Sequence, residues 1–286
     1  MNGVLPPANS SETAYSNFAS HSLHVIRQTF DELAESAEVD ASSRVLRIEH
    51  PVTNQTVEIS VVYFRAGYGP TEYPTEAHFD TRLLLERSRA IKCPTIQLQL
   101  AGGKKVQQAL TKPGVLESFL IDHTRWNGSD FTEDDVALLR DSWMGMWGLD
   151  EDGDGGVEKA RSVAEKLVLK PQREGGGNNI YKSSIPGFLD SLPLIERKAW
   201  IAMELIETPK GVSNYLVRAG SGSQGAVKME TTSELGIFGW ALFGPGAKQI
   251  KHNEAGWLVR TKGTNSDEGG IAAGFSVLDS LLLVDE

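Results

Sequence analysis

Lys170-Pro-Gln-Arg-Glu-Gly-Gly-Gly-Asn-Asn-Ile-Tyr181 follows directly on the apolar run Leu167-Val168-Leu169, and the reading of this stretch decides the fold. A strand that delivers a lysine and a carboxylate into three successive glycines is suited to gripping a highly charged ligand. Gly175, Gly176 and Gly177 permit close backbone approach and leave amides that can point at phosphate oxygens. Lys170 supplies positive charge, and Glu174 supplies the hard oxygen that Mg²⁺ prefers. Three glycines alone read as a hairpin or surface loop. With Lys170, Arg173, Glu174, Asn178 and Asn179 inside one dozen residues, the stretch points to nucleotide or phosphate chemistry.

Downstream, the pattern predicts strands at Ala199–Ile206, Asn214–Val217, Ala226–Ser233, Ile237–Phe243 and Trp257–Arg260, joined by Gly-rich turns, hence an antiparallel sheet. Glu204 is the one acid in an apolar strand; it either faces solvent at an edge or meets a ribose hydroxyl or exocyclic amine, with Met203 and Ile206 as apolar walls. Glu234 is placed at the end of the next strand, and Arg260-Thr-Lys262 ends another. The small residues of Glu268-Gly-Gly-Ile-Ala-Ala-Gly-Phe275 make either a turn before a terminal element or a tight, movable cover. Together these strand ends imply kinase-like or ligase-like use of ATP. Phosphoryl transfer needs spread counter-charge, at least one metal and an acceptor held in line. No Walker A spacing occurs, and no G-x-G-x-x-G directly follows one of the first strands, which disfavours a P-loop NTPase or a Rossmann dehydrogenase.

Upstream, Met1–Phe18 is polar and aperiodic. His24-Val-Ile predicts a strand, Gln28–Ala34 a short helix, and Val45-Leu-Arg-Ile a strand. Glu58–Phe64 predicts a nearly continuous apolar central strand ending at Arg65-Ala-Gly-Tyr-Gly-Pro70, where α/β sheets usually bind ligands. Glu76–Ala90 reads as helix, Thr95-Ile-Gln-Leu-Gln-Leu as a strand, and Gly102-Gly-Lys-Lys as the start of a helix in a second unit. Pro113–Glu165 is mostly helical and acidic; Asp150-Glu-Asp-Gly-Asp-Gly155 resembles a calcium loop, but its twelfth position is Arg161, so a solvated acidic turn fits better.

The chain has 286 residues, 40% of them apolar and 23% charged, as in ordinary soluble globular proteins. A net charge of -10 argues against a broad nucleic-acid surface but not against a local phosphate site. No run approaches a membrane-spanning length. The N-terminus has neither a basic nor an apolar signal region, so a cytoplasmic location is expected. Cys93, the only cysteine, sits in an apolar setting and excludes an internal disulfide. Six scattered histidines offer no zinc-site spacing.

The motifs carry a family resemblance. The chain resembles eukaryotic-type glutathione synthetases, members of the ATP-grasp ligases, in Val62–Tyr68, Leu83–Ser88 with Ile91–Pro94, Leu100–Gln108, Leu169–Tyr181, Ser233–Gly239, Leu258–Lys262 and Gly269–Phe275. The resemblance implies an α/β, ATP-grasp-like fold with a parallel α/β substrate-binding unit over 21–101. An ATP-binding unit with antiparallel sheet and glycine-rich lid loops would cover 102–286, with 1–20 a disordered or truncated edge. It implies that ATP phosphorylates the cysteinyl carboxylate of γ-glutamylcysteine, that glycine attacks the acyl phosphate, and that Mg²⁺ assists. By motif, Lys104, Lys170, Glu204, Glu234, Lys262 and Glu268 should contact ATP, with Gly175, Gly176, Gly177, Asn178, Asn179 and Tyr181 alongside. Met203 and Ile206 should flank the adenine, Leu205 should belong to the ATP site, and Glu174 should ligate Mg²⁺. Arg65, Ala66, Gly67, Tyr68, Arg260, Ile271 and Ala272 should hold the peptide substrates, and Arg260, Lys170 and Arg65 are the catalytic candidates. Ala66 and Leu205 stand where some relatives carry a charge. The family's N-terminal portion is not matched before His24. The resemblance therefore implies a C-terminal half with a fold incomplete at its N-terminus, homodimeric like the family or joined by a separate chain. The alternatives are a catalytically impaired, ligand-binding fragment and a ligase with a different amino-acid acceptor.

Overall fold

Thr29 starts the first helix by reciprocal capping: its Oγ1 accepts the Glu32 N–H at 3.3 Å, while the Glu32 carboxylate accepts the Thr29 N–H at 2.6 Å. The computed structural model describes residues 23–122, 124, 131–150, 155–172, 177–217, 225–244, 250–267 and 276–281. The chain divides into two compact units, Met1–Leu100 and Ala101–Glu286.

In the first unit, helix α1 (Phe30–Ser36) precedes a three-stranded antiparallel sheet of β1 (Glu38–Val39), β2 (Leu46–Glu49) and β3 (Thr56–Ile59) in that order. Strand β4 (Val61–Tyr63) runs parallel to β5 (Ile91–Cys93), and helix α2 (Glu76–Arg87) supplies the crossover that a parallel pair needs. Leu46, Phe64, Leu85 and Ala90 form the core, with Phe30 and Leu33 of α1 packed on it.

Three expectations fail here. The run Glu58–Phe64 is two strands: the chain leaves one sheet at Ile59 and joins another at Val61. Val61 and Tyr63 are exposed, so an apolar run that lacks alternation did not identify a central strand. Thr95–Leu100 is not a strand; Ile96–Ala101 forms helix α3, and Ile91–Cys93 pairs instead. Leu, Gln and Ala are good helix formers, and six residues of alternation fit either period. The carboxylate of Glu86 accepts the Ile96 N–H at 2.9 Å, satisfying a donor at the helix start. His24–Ile26 forms no strand among the described residues; Leu23 and Val25 are exposed.

The second unit opens with α4 (Lys104–Thr111), α5 (Val115–Leu120) and α6 (Glu133–Asp141). Strand β6 (Met146–Gly148), unforeseen in a stretch read as helical, then joins an antiparallel sheet of order β6-β9-β7-β8. Its other strands are β7 (Leu167–Pro171), β8 (Ile180–Tyr181) and β9 (Trp200–Glu204). Helices α7 (Gly156–Ser162), α8 (Ser184–Ser191) and the short α9 (Leu194–Arg197) come between them. Leu167, Leu169 and Ala202 pack with Ala160, Ile185 and Leu189 of α7 and α8 into the unit's core.

A second antiparallel sheet follows, in the order β10 (Ser213–Leu216), β11 (Val227–Leu242), β12 (Lys251–Gly263) and β13 (Ser276–Asp279). The two strands expected over 226–243 are one strand of 16 residues. Gly236 stays in register opposite Leu258, and a bulge at Phe238/Gly239 absorbs the irregularity. Beyond β10 and β13, β11 and β12 pair only with each other among the described strands, and Ile237, Phe238, Trp240 and Trp257 stay exposed on this arm.

Candidate functional site

Register decides what each face of the first large sheet carries. Trp147, Ala202, Leu169 and Ile180 lie in one row across the four strands, and all belong to or pack on the buried core. The adjacent row is Met146, Met203, Val168 and Tyr181. Side chains alternate along a strand, so this row points to the opposite face. Lys170 lies two residues beyond Val168, opposite Ile201, and so shares that face with Met203 and Tyr181. One sheet face thereby gathers a cation, an apolar wall and a phenol from three separate strands.

Helix α4 packs against β6 and β9. Its start is fixed to the end of β7, because the Lys105 N–H donates to Gln172 Oε1 at 2.8 Å. Lys104 is the first residue of this helix, beside that tie. The ammonium of Lys105 also pairs with Asp150 at 2.8 Å and, by that hydrogen bond, holds the carboxyl below the usual aspartate range.

Glu204 does not project from the Lys170 face. Its Oε2 accepts the Gly145 N–H at 3.0 Å, and its own N–H donates to the Gly145 carbonyl at 2.9 Å. Leu205 is half-buried, and Ile206 is 73% exposed. A cavity of about 270 Å³ is lined by Met146, Gly145, Met144, Trp143, Trp147, Thr111 and Arg140. It adjoins the row through Met146, the partner of Met203.

On the second sheet, Glu234 pairs with Arg260 and Thr232 with Lys262, so Glu234, Arg260 and Lys262 share a face. Glu234 lies within β11 rather than at a strand end, and its carboxylate accepts a hydrogen bond from the Arg260 guanidinium. Lys262 Nζ donates to the carbonyls of Ser266 and Asp267 at 2.7 and 3.0 Å. Asp267 also pairs with Lys182 at 2.7 Å. Lys182 directly follows Tyr181, so this ion pair ties the end of β8 to the turn after β12. It has a φ of +48°, uncommon for a side-chain-bearing residue.

Gly177, Asn178 and Asn179 lead into β8, and Asn179 Nδ2 donates to the Tyr181 hydroxyl at 3.1 Å. Glu174, Gly175, Gly176, Glu268, Ile271 and Ala272 lie outside the described residues. Among the described residues no three His, Cys, Asp or Glu side chains gather into a metal-binding cluster. Arg161, which spoiled the calcium-loop pattern, pairs with Asp190 at 2.7 Å.

The loop Arg65–Tyr68 belongs to the first unit, directly after β4. The side chains of Arg65, Ala66 and Tyr68 are exposed, while Gly67 is buried at φ +82°. Sequence reasoning missed what stands behind this loop. Glu72 accepts its amides, and Arg82 and Gln99 sit in a half-buried network beneath it. An arginine on the buried side of an apolar helix stripe, Arg82 in Arg82-Leu-Leu-Leu-Glu86, was the available signal. Lys182 and Asp267 were missed as well, since neither belongs to a motif.

The sequence matches the family model for eukaryotic glutathione synthase, ATP binding domain, over residues 8–283, beginning upstream of the first motif noted above. Chloroplastic glutathione synthetase of Solanum lycopersicum is 43% identical over 92% of this chain and 44% of its own length. Glutathione synthetase of Homo sapiens is 42% identical over 90% of this chain and 50% of its own length. The chain thus spans about half the length of the curated relatives it matches. A solved glutathione synthetase-like effector from Globodera pallida, in its apo form, aligns with a TM-score of 0.63 at 21% identity. That alignment covers 97% of this chain and 55% of the effector, and at this identity it speaks to fold alone. No described helix is long and apolar enough to cross a membrane.

Proposed function

This chain belongs to the eukaryotic glutathione synthase ATP-binding domain family, and on that premise we propose that it serves an ATP-dependent carboxylate–amine ligase joining γ-glutamylcysteine to glycine. The observation that carries the reading is the set of charged and apolar side chains that register places on one face of each sheet. Lys170, Met203 and Tyr181 share one, Glu234, Arg260 and Lys262 the other, and the Lys182–Asp267 pair links them.

In the proposed reaction an oxygen of the cysteinyl carboxylate attacks the γ-phosphorus of ATP, and ADP leaves. The amine of glycine, having lost a proton, attacks the carbonyl of the acyl phosphate and expels inorganic phosphate. Lys170 and Lys262 supply counter-charge to the phosphates, and Lys104 adds a third cation at the start of α4. Met203, with Ile206 beyond the strand end, provides apolar surface for a purine. Arg260, held by Glu234, presents guanidinium N–H groups to a substrate carboxylate; within the first unit, Arg65 is assigned by motif to the peptide substrate. Mg²⁺ arriving on ATP needs only one or two protein carboxylates, and Glu174 is the one assigned to it. The arrangement is read as ATP-grasp-like, with 175–177 and 269–273 as the covers that keep water from the acyl phosphate. The cytoplasmic and homodimeric assignments belong to the same proposal.

The test is ADP release by the full chain with γ-glutamylcysteine and glycine, each omitted in turn, with glutathione identified by mass. Release is expected to require both. Lys170→Ala is expected to lower kcat/KM by about 10²–10³, as for loss of one transition-state clamp. Calorimetry showing no Mg·ATP uptake by folded protein would overturn the reading.

A further inference from the structure

Behind Arg65–Tyr68 three consecutive backbone amides converge on one carboxylate. The N–H of Gly67 donates to Glu72 Oε1 at 3.0 Å; those of Tyr68 and Gly69 donate to Oε2 at 2.7 and 3.0 Å. Successive amides in this form make an anion-binding concavity, and here the chain fills it with its own glutamate. The Gly67 carbonyl is held as firmly, accepting from the Tyr73 hydroxyl at 3.0 Å and from Gln99 Nε2 at 2.6 Å. Buried Arg82 joins those two groups, donating to the Tyr73 oxygen and to Gln99 Oε1, both at 3.2 Å. Its guanidinium also lies 3.7 Å from the centroid of Phe64. The Tyr68 hydroxyl reaches back to the Phe64 carbonyl at 3.0 Å. Arg65 therefore leaves a chain fixed on both sides of it, while its own side chain is exposed.

Resting on the reading that Arg65–Tyr68 meets the peptide substrate, we infer that Glu72 is a positioning residue for that contact. Its carboxylate gathers the loop amides and so sets the direction in which Arg65 and Tyr68 face the ligand. A loop ordered beforehand spares the ligand the cost of ordering it. A second consequence concerns specificity. Because Glu72 fills the amide concavity, the substrate carboxylate is left to side-chain donors such as the Arg65 fork rather than to the backbone. The hydrogen bond from the Gly67 amide, with those from Gly69 and Tyr68, holds the Glu72 carboxyl below its ordinary range against a smaller pull from burial.

The experiment compares wild type, Glu72→Gln and Glu72→Ala as full chains. It reads hydrogen exchange of the 65–69 amides, calorimetric affinity for γ-glutamylcysteine and, separately, affinity for Mg·ATP. In Glu72→Ala the amides should exchange at least about tenfold faster and the dipeptide should bind about tenfold more weakly, with Mg·ATP unchanged within about twofold. Glu72→Gln keeps one acceptor oxygen and should fall between. Equal dipeptide affinity in wild type and Glu72→Ala overturns the role of Glu72 and leaves the loop reading standing. Parallel loss of both ligands also overturns it, since that marks general damage. Wild type that binds Mg·ATP but no dipeptide removes the loop reading, and this inference with it.

Discussion

Gly67 has φ +82°, and a Cβ there would stand 2.6 Å from the Tyr73 hydroxyl oxygen and 3.1 Å from the Phe30 ring. Conformation and space both demand glycine, so Gly67→Ala is expected to destabilise the first unit by about 1–3 kcal/mol in urea unfolding. The glycine was legible as a loop residue after an apolar run; that its partners are Tyr73 and Phe30 was not, because neither lies in the motif. A second residue-scale prediction concerns Asp150. The hydrogen bond from Lys105 depresses its pKa, with burial opposing. A depressed carboxylate pKa stabilises the fold above the ordinary value of 3.8, and the contribution is lost as pH falls through the lowered one. Both side chains are about a third exposed, so Asp150→Asn should cost only about 0.5–1 kcal/mol at neutral pH. Urea curves taken at successively lower pH should show that gap closing below the ordinary aspartate pKa. A gap that widens in acid would contradict the pairing.

At the scale of elements, alternation in β7 separates stability from ligand binding. Leu169 is fully buried on the core face, so Leu169→Ala is expected to cost about 2–5 kcal/mol. Ile206, 73% exposed, should change unfolding by less than about 0.5 kcal/mol on truncation to Ala while weakening Mg·ATP in a calorimetric titration. Equal stability losses would show that Ile206 is packed rather than exposed for a ligand. Strands whose partners press on them from both sides were readable: Leu167–Lys170 and Ala199–Ile206 were expected and form β7 and β9 with small end shifts. Short elements that depend on a distant cap were not. The helix start at Ile96 rests on Glu86, ten residues away, and alternation in Gln-Leu-Gln-Leu pointed to the wrong period. In the candidate site, Lys170, Met203 and Tyr181 were named from motif alone. Strand register is what places them on one face, and register is a property of pairing that a single strand does not carry.

At the scale of the whole molecule, the described residues form two hydrophobic cores that share no residue. Leu46, Phe64, Leu85 and Ala90 form one in the first unit; Leu149, Leu167, Leu169, Ile185 and Leu189 belong to the other in the second. Each core reports on its own unit, so urea unfolding followed by fluorescence and circular dichroism is expected to resolve two transitions. Leu85→Ala should move one and Leu169→Ala the other. Lys104, Lys170, Tyr181, Met203, Glu234 and Lys262 all lie in the second unit. A ligand that binds only the folded form stabilises what it binds by RT ln(1 + [L]/Kd), about 2.7 kcal/mol at a hundredfold excess over Kd. Saturating Mg·ATP should therefore raise the transition marked by Leu169→Ala and leave the one marked by Leu85→Ala in place. A single transition moved by both substitutions would show one cooperative unit. Nucleotide protection of the Leu85 transition instead would place the triphosphate in the first unit and refute its assignment to Lys170.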